Sequence, residues 1–150
     1  MHCRNPFPLP DRLDAKLQPV VSHWQALKRG ENDVPFGDDL GASALASLPG
    51  SPFLLRTFVS PERYRFEFLS EGLRGEAVLE GFVDEMATSI SFSYLRAQSS
   101  ATVEAAAPTL LRLTEESGYR FSRVLLPLWG DGRINMLLGA FDHQALTVAK

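Results

Sequence analysis

The chain has 150 residues, of which 45% are hydrophobic and 22% charged, with a formal net charge of −3 and one cysteine. Those proportions fit one globular domain rather than a disordered chain, and the scattered basic residues argue against binding nucleic acid or a membrane surface. The apolar run from Met136 to Phe141 falls far short of the roughly 20 residues of a spanning helix, and a lone Cys3 cannot form an internal disulfide, so a reducing, cytoplasmic setting is expected.

Residues 1–10 are proline-rich and lack the apolar stretch of a secretory signal. Leu13, Leu17, Val20, Trp24 and Leu27 then recur at spacings of four and three, which predicts an amphipathic helix. Lys28 and Arg29 in its last turn and Gly30 just beyond it form a stop signal. Pro19, inside the stripe, predicts a kink or a restart. Residues 31–52 are rich in Gly, Pro, Asp and Ser, with room for one short helix along Leu40, Leu45 and Leu48.

At Phe53 the period changes from helical to alternating. A strand is predicted over 53–59, a turn at Ser60-Pro61-Glu62, and a second strand over 63–69. Strict alternation there would put Tyr64, Phe66 and Phe68 on one face and Arg63, Arg65 and Glu67 on the other. Residues 70–83 hold three glycines and read as turns. A longer helix is predicted over 84–97 through Met86, Ile90, Tyr94 and Leu95, with Gln98-Ser99-Ser100 expected to interrupt it before Pro108.

Three more strands are predicted at 109–114, 119–129 and 133–141. The last two are joined by Gly130-Asp131-Gly132, a tight hairpin signal. Ile134, Met136 and Leu138 are expected on one face of the final strand, with Leu137 and Phe141 on the other. Pro127 cannot donate to a ladder, so it marks an edge or a bulge.

Short connections require antiparallel neighbours. The pattern therefore predicts an α+β fold, a five-stranded antiparallel sheet with helices on one face. The last two strands are apolar on both sides, so the second face needs a cover. The stripe from Leu13 to Leu27 is the spare element that can supply it. The expected organisation is a lead-in and amphipathic helix over 1–30, the sheet domain over 31–142 and a tail over 143–150.

Several of these segments carry a resemblance. The run His23-Trp24-Gln25-Ala26-Leu27-Lys28-Arg29-Gly30, the strand Phe53-Leu54-Leu55 followed by Arg63-Tyr64-Arg65-Phe66, and Leu125-Leu126-Pro127-Leu128 with Asp131-Gly132 resemble a family of small bacterial PAS-domain proteins. Leu79-Glu80-Gly81 is similar to that family's L-T-G element, with Glu80 in place of threonine, and Ser70 stands where relatives commonly have glycine. The resemblance spans about residues 20–142. It implies a sheet of order 2-1-5-4-3 with helices on one face, and a module that senses a small molecule or dimerises. Haem-binding relatives use a histidine on the helix before the third strand, and residues 84–107 contain none. Photochemical relatives need a cysteine inside the domain, and Cys3 is the sole cysteine. No cofactor is therefore expected, only a reversibly bound organic metabolite or no ligand.

Signatures of catalysis are absent from the sequence, which has no G-x-S-x-G, P-loop, H-E-x-x-H or C-x-x-C motif. His2 with Cys3 reads as a tail rather than a metal site, His23 as a solvated helix residue, Arg96 as solvent-facing, and Asp131 as a turn former. The alternative to a binding module is a cone-shaped α+β hydratase or isomerase working through a cavity carboxylate. Glu67 is its one strand-interior candidate. For a binding module, the expected ligand lining between sheet and long helix is Phe66, Phe68, Ile90, Tyr94, Leu126 and Met136. Self-association as a homodimer is expected through Leu13, Leu17, Val20, Trp24 and Leu27.

Overall fold

The computed structural model describes residues 9–10, 13–30, 32–75, 77–85, 90–114 and 119–145. It contains helices α1 (Gln18–Ala26), α2 (Ala42–Ser47) and α3 (Leu95–Ala105), and strands β1 (Phe53–Phe58), β2 (Arg63–Leu69), β3 (Thr109–Thr114), β4 (Tyr119–Gly130) and β5 (Arg133–Ala145). The strands form one antiparallel sheet of order β2-β1-β5-β4-β3. This is the α+β fold and the strand order expected. The long crossover from β2 to β3 carries α3 across one face, which we call the inner face.

Two cores lie on opposite sides of this single sheet. The inner core gathers Phe53, Leu55, Tyr64, Phe66, Leu73, Leu95, Phe121, Leu125, Leu137 and Phe141. The outer core gathers Leu17, Val20, Val21 and Trp24 from α1 with Val124, Leu126, Leu128, Leu138 and Ala140 from the sheet. Alternation along β4 explains the division, because Phe121 and Leu125 point inward while Val124, Leu126 and Leu128 point outward. The apolar pattern on both sides of β4 is thus accounted for by a cover on each face.

Pro19 opens α1 at its first turn and does not kink it, which suits a residue whose missing N–H would have been unpaired there. Leu17, Val20 and Trp24 are 0–2% exposed beneath their own helix. The Trp24 Nε1–H donates to the Pro127 carbonyl at 2.8 Å. Of the residues expected at a homodimer contact, Leu17, Val20 and Trp24 are thus buried against their own sheet and Leu13 packs beside them on the outer core, while Leu27 is half-buried at the end of the stripe. Pro127 pairs with Leu137 on one side, and on its other side β3 has already ended at the Thr109–Leu125 pair. Its missing N–H therefore falls at a local edge.

Two irregularities change which residues share a face. Leu54 pairs with Phe68 but Leu55 pairs with Phe66, so Glu67 is an extra residue in β2. Leu128 pairs with Met136 but Trp129 pairs with Ile134, so Asn135 is an extra residue in β5. A bulge resets the alternation by one. Phe66 consequently faces inward while Phe68 packs on the outer core, and Ile134 faces inward while Met136 and Leu138 face outward. The shared faces expected for Tyr64, Phe66 and Phe68, and for Ile134, Met136 and Leu138, are both overturned by these bulges.

The helix expected over 84–97 is also displaced. Val83–Glu85 and Ile90–Phe92 are short 3-10 turns, Tyr94 adopts a left-handed conformation with φ of 62°, and α3 begins only at Leu95. Gln98-Ser99-Ser100 lies inside α3. Met86 falls outside the described residues.

Candidate functional site

The polar residues within α3 are explained by what lies opposite them. On its sheet-facing side α3 presents Leu95, Gln98, Ser99 and Thr102, all buried, at the i, i+3, i+4, i+7 spacing of one helical face. Facing them is Arg123 on β4, with no exposed surface. Its Nε donates to Gln98 Oε1 at 2.8 Å, and its two terminal nitrogens donate to the Ser91 and Ser93 carbonyls at 2.9 and 2.8 Å. The Gln98 amide nitrogen in turn donates to Thr109 Oγ1 and to the Arg123 carbonyl, each at 3.0 Å. Thr102 and Thr109 join hydroxyls at 2.7 Å.

Every one of these partners of the guanidinium is neutral. Among the described residues no carboxylate pairs with Arg123. Burial pushes its pKa down to about 9, which still leaves the group charged at neutral pH. Its neighbours on the sheet are apolar, with the Phe121 ring 5.8 Å from the guanidinium carbon and Leu111 and Phe141 paired with it on either side. On the facing helix the buried Ser99 hydroxyl has no hydrogen-bond partner.

At the other end of α3, towards the β4–β5 hairpin, a cleft of about 640 Å³ opens between the helix and the inner sheet face. Phe58, Tyr64, Val103, Trp129 and Ile134 supply apolar wall, and Glu62, Ser100 and Arg133 supply polar groups. The Tyr64 hydroxyl donates to the Glu62 carboxylate. That bond, above all other influences, holds the Glu62 carboxyl below the usual carboxylate range, while burial and then Glu62 push the Tyr64 phenol up. Arg133 is turned into the wall, donating to Thr57 Oγ1 at 2.5 Å and to the Thr57 carbonyl at 3.1 Å.

Neither member of the Glu62–Tyr64 pair is poised to exchange a proton near neutral pH, as acid–base catalysis requires. Replacing Tyr64 with phenylalanine is expected to return the Glu62 pKa towards its ordinary range. A carboxyl whose folded pKa is depressed contributes stability above its unfolded pKa, and that stability is lost as pH falls through the folded value. The variant should therefore show a shallower loss of stability on acidification, read as urea midpoints between about pH 3 and 7.

The six expected lining residues do not come together. Phe66 is fully buried in the inner core, whereas Phe68, Leu126 and Met136 belong to the outer core. Tyr94 is 64% exposed, because the left-handed turn before α3 points it away from the sheet. Ile90 lies in a 3-10 turn, and its side chain is outside the described residues. Glu67, the candidate cavity base, is held by Arg65 at 2.7 Å and Arg56 at 3.7 Å. Asp131 has φ of 56° in the hairpin turn, as a turn former would. His2 and Cys3 are outside the described residues, and among the described residues no group of three or more metal-ligating side chains occurs. No helix of the described residues is long and apolar enough to cross a membrane.

Neither Arg123 nor Gln98 was singled out by the sequence. The available signal was a charge at an inward-facing position of a strand otherwise lined by Phe121 and Leu125, opposite an unusually polar helix.

No protein-family model matches the chain, and no curated protein matches it in sequence. Among solved structures, a sensory box sensor histidine kinase from Vibrio cholerae is similar, with 10% identity over 71% of this chain and 90% of that one and a TM-score of 0.46.

Proposed function

We propose that the chain is a PAS-like, non-catalytic ligand-binding module that takes a small apolar organic molecule in the cleft beside α3. The observation that carries this reading is the cleft itself. Its volume of about 640 Å³ lies within the roughly 300–1,000 Å³ typical of small-molecule sites. Phe58, Val59, Tyr64, Val103, Trp129 and Ile134 give it the apolar and aromatic wall that such sites commonly have, with Glu62, Glu104 and Arg133 bringing charge to it. The PAS assignment draws on the strand order together with the order of the Trp24, Arg63–Phe66 and Leu125–Leu128 segments along the sequence. A hydratase-like reading has less support, since Glu67 is engaged by two arginines and Glu62 is held ionised.

A neutral probe whose emission rises in apolar sites, N-phenyl-1-naphthylamine, tests the proposal. Titration should give a saturable rise, with quenching of Trp129 at the cleft wall. Val103→Phe fills the cleft from α3 and should weaken the probe at least tenfold, with unchanged circular dichroism. A linear, non-saturating response, or equal affinity in the variant, would reject the cleft as the site.

A further inference from the structure

Arg123 poses a problem that the cleft does not solve. A buried charge is costly unless it is paired and fully hydrogen-bonded. Backbone carbonyls and one amide satisfy the geometry of this guanidinium without supplying a countercharge. Nothing in the packing requires a cation here, because its neighbours on the inner face, Phe121, Leu111 and Phe141, are all apolar. The facing helix adds a second unfinished group, the Ser99 hydroxyl, buried and without a partner. Among the described residues, a cation without an anion on β4 and a hydroxyl without a partner on α3 thus occur on the two facing elements, Ser99 directly following the Gln98 that bonds Arg123.

We infer that Arg123 is the receptor for a small organic carboxylate with an apolar body, which binds between β4 and α3 in place of the Ser91 and Ser93 carbonyls. Those two carbonyls are held by the terminal nitrogens of the guanidinium, the pair of donors that a carboxylate engages in bidentate fashion. A carboxylate there converts two neutral hydrogen bonds into charge-assisted ones and supplies the missing charge. The Ser99 hydroxyl is the natural second donor to it. The apolar body would lie against the rings of Phe121 and Phe141.

The exchange also has a structural outcome. Ser91 and Ser93 flank Phe92, whose ring packs on Phe53, Phe66 and Phe141, and they precede the left-handed Tyr94 that begins α3. Releasing their carbonyls frees the entry to α3, so occupancy is read out as a change in how 90–94 sits on the sheet. This assignment is independent of the apolar cleft.

The test compares benzoate and hexanoate with benzamide and hexanamide by calorimetry and thermal denaturation of the full chain. The acids should bind saturably and raise Tm by several degrees, and the amides should bind at least tenfold more weakly. Arg123→Gln should abolish the response to the acids. If that variant does not fold, Gln98→Glu decides the matter, because it places a carboxylate on Arg123 from within the chain, at the cost of the amide's bonds to Thr109 and the Arg123 carbonyl. With an unchanged circular dichroism spectrum it should lose the response to added acid. Ser99→Ala should weaken the acids several-fold. Equal binding of acid and amide, or an undiminished acid response in Gln98→Glu, would overturn the assignment. No response to any acid would leave Arg123 as a clamp alone. Naphthylamine binding at the cleft is measured on the same samples, so either site can fail without the other.

Discussion

Replacing Trp24 with alanine is expected to destabilise the fold by about 3–5 kcal/mol, the range for deleting a large aromatic side chain from a packed core. Trp24 is 2% exposed and is the largest of the fully enclosed or nearly enclosed side chains in the outer core. It joins α1 to β4 in two ways, through packing and through the bond from its indole N–H to the Pro127 carbonyl. Trp24→Phe separates the two, since it keeps most of the apolar volume and removes the donor. That loss should cost about 1–3 kcal/mol, because a buried carbonyl is left without its partner. Urea denaturation followed by circular dichroism gives both values. A cost for Trp24→Ala below about 1 kcal/mol, in the range of ordinary surface substitutions, would mean that α1 does not cover the sheet as described.

Gly139→Ala is the second substitution with a large expected effect, although it adds only one methyl group. Gly139 lies in β5, paired with Phe53 of β1 on one side and Leu125 of β4 on the other. The Phe53 ring occupies the space where a Cβ on Gly139 would stand. That ring is fully buried and packs against Phe66, Phe92 and Phe141, so it has nowhere to retreat. Overpacking of this kind typically costs about 1–3 kcal/mol, and the upper end is expected in so rigid an aromatic cluster. The compensating pair Gly139→Ala with Phe53→Leu should recover part of the loss, measured as a double-mutant cycle. Strict additivity of the two changes would show that the ring does not need the glycine.

The local signals of strand and turn were strong enough to be read directly. β2 and β3 were expected at 63–69 and 109–114 and occur there, and the Gly130-Asp131-Gly132 turn closes the β4–β5 hairpin at residues 131–132. The need for a second cover followed from the apolar residues on both sides of β4. What could not be read was parity. One extra residue, Glu67 or Asn135, reverses which side chains face inward, and neither carries a glycine or proline that announces a bulge. Among the six expected lining residues that reversal accounts for Phe68 and Met136, while Ile90 and Tyr94 lie ahead of a helix that begins only at Leu95 and Leu126 stands on the outer face of β4. The polar face of α3 misled for a different reason. Gln98 and Ser99 look like helix breakers when judged alone, and they fit a buried helix face only once Arg123 is known to stand opposite. That pairing spans 25 residues and has no local signature.

The sheet is shared by two cores, and this governs how the molecule opens. β4 and β5 contribute side chains to both cores, Phe121, Leu125, Leu137 and Phe141 to one and Val124, Leu126, Leu138 and Ala140 to the other. If the cover lifts from one face, the ladder of β4 and β5 is still backed by the other core. Amide protons of β4 and β5 should accordingly exchange with deuterium only through global opening, as one slow class. The short 3-10 turns at 83–85 and 90–92 contribute to only one face, and their amides should exchange through smaller, local fluctuations. The slowest-exchanging amides would then trace two adjacent strands and not a single layer of the fold.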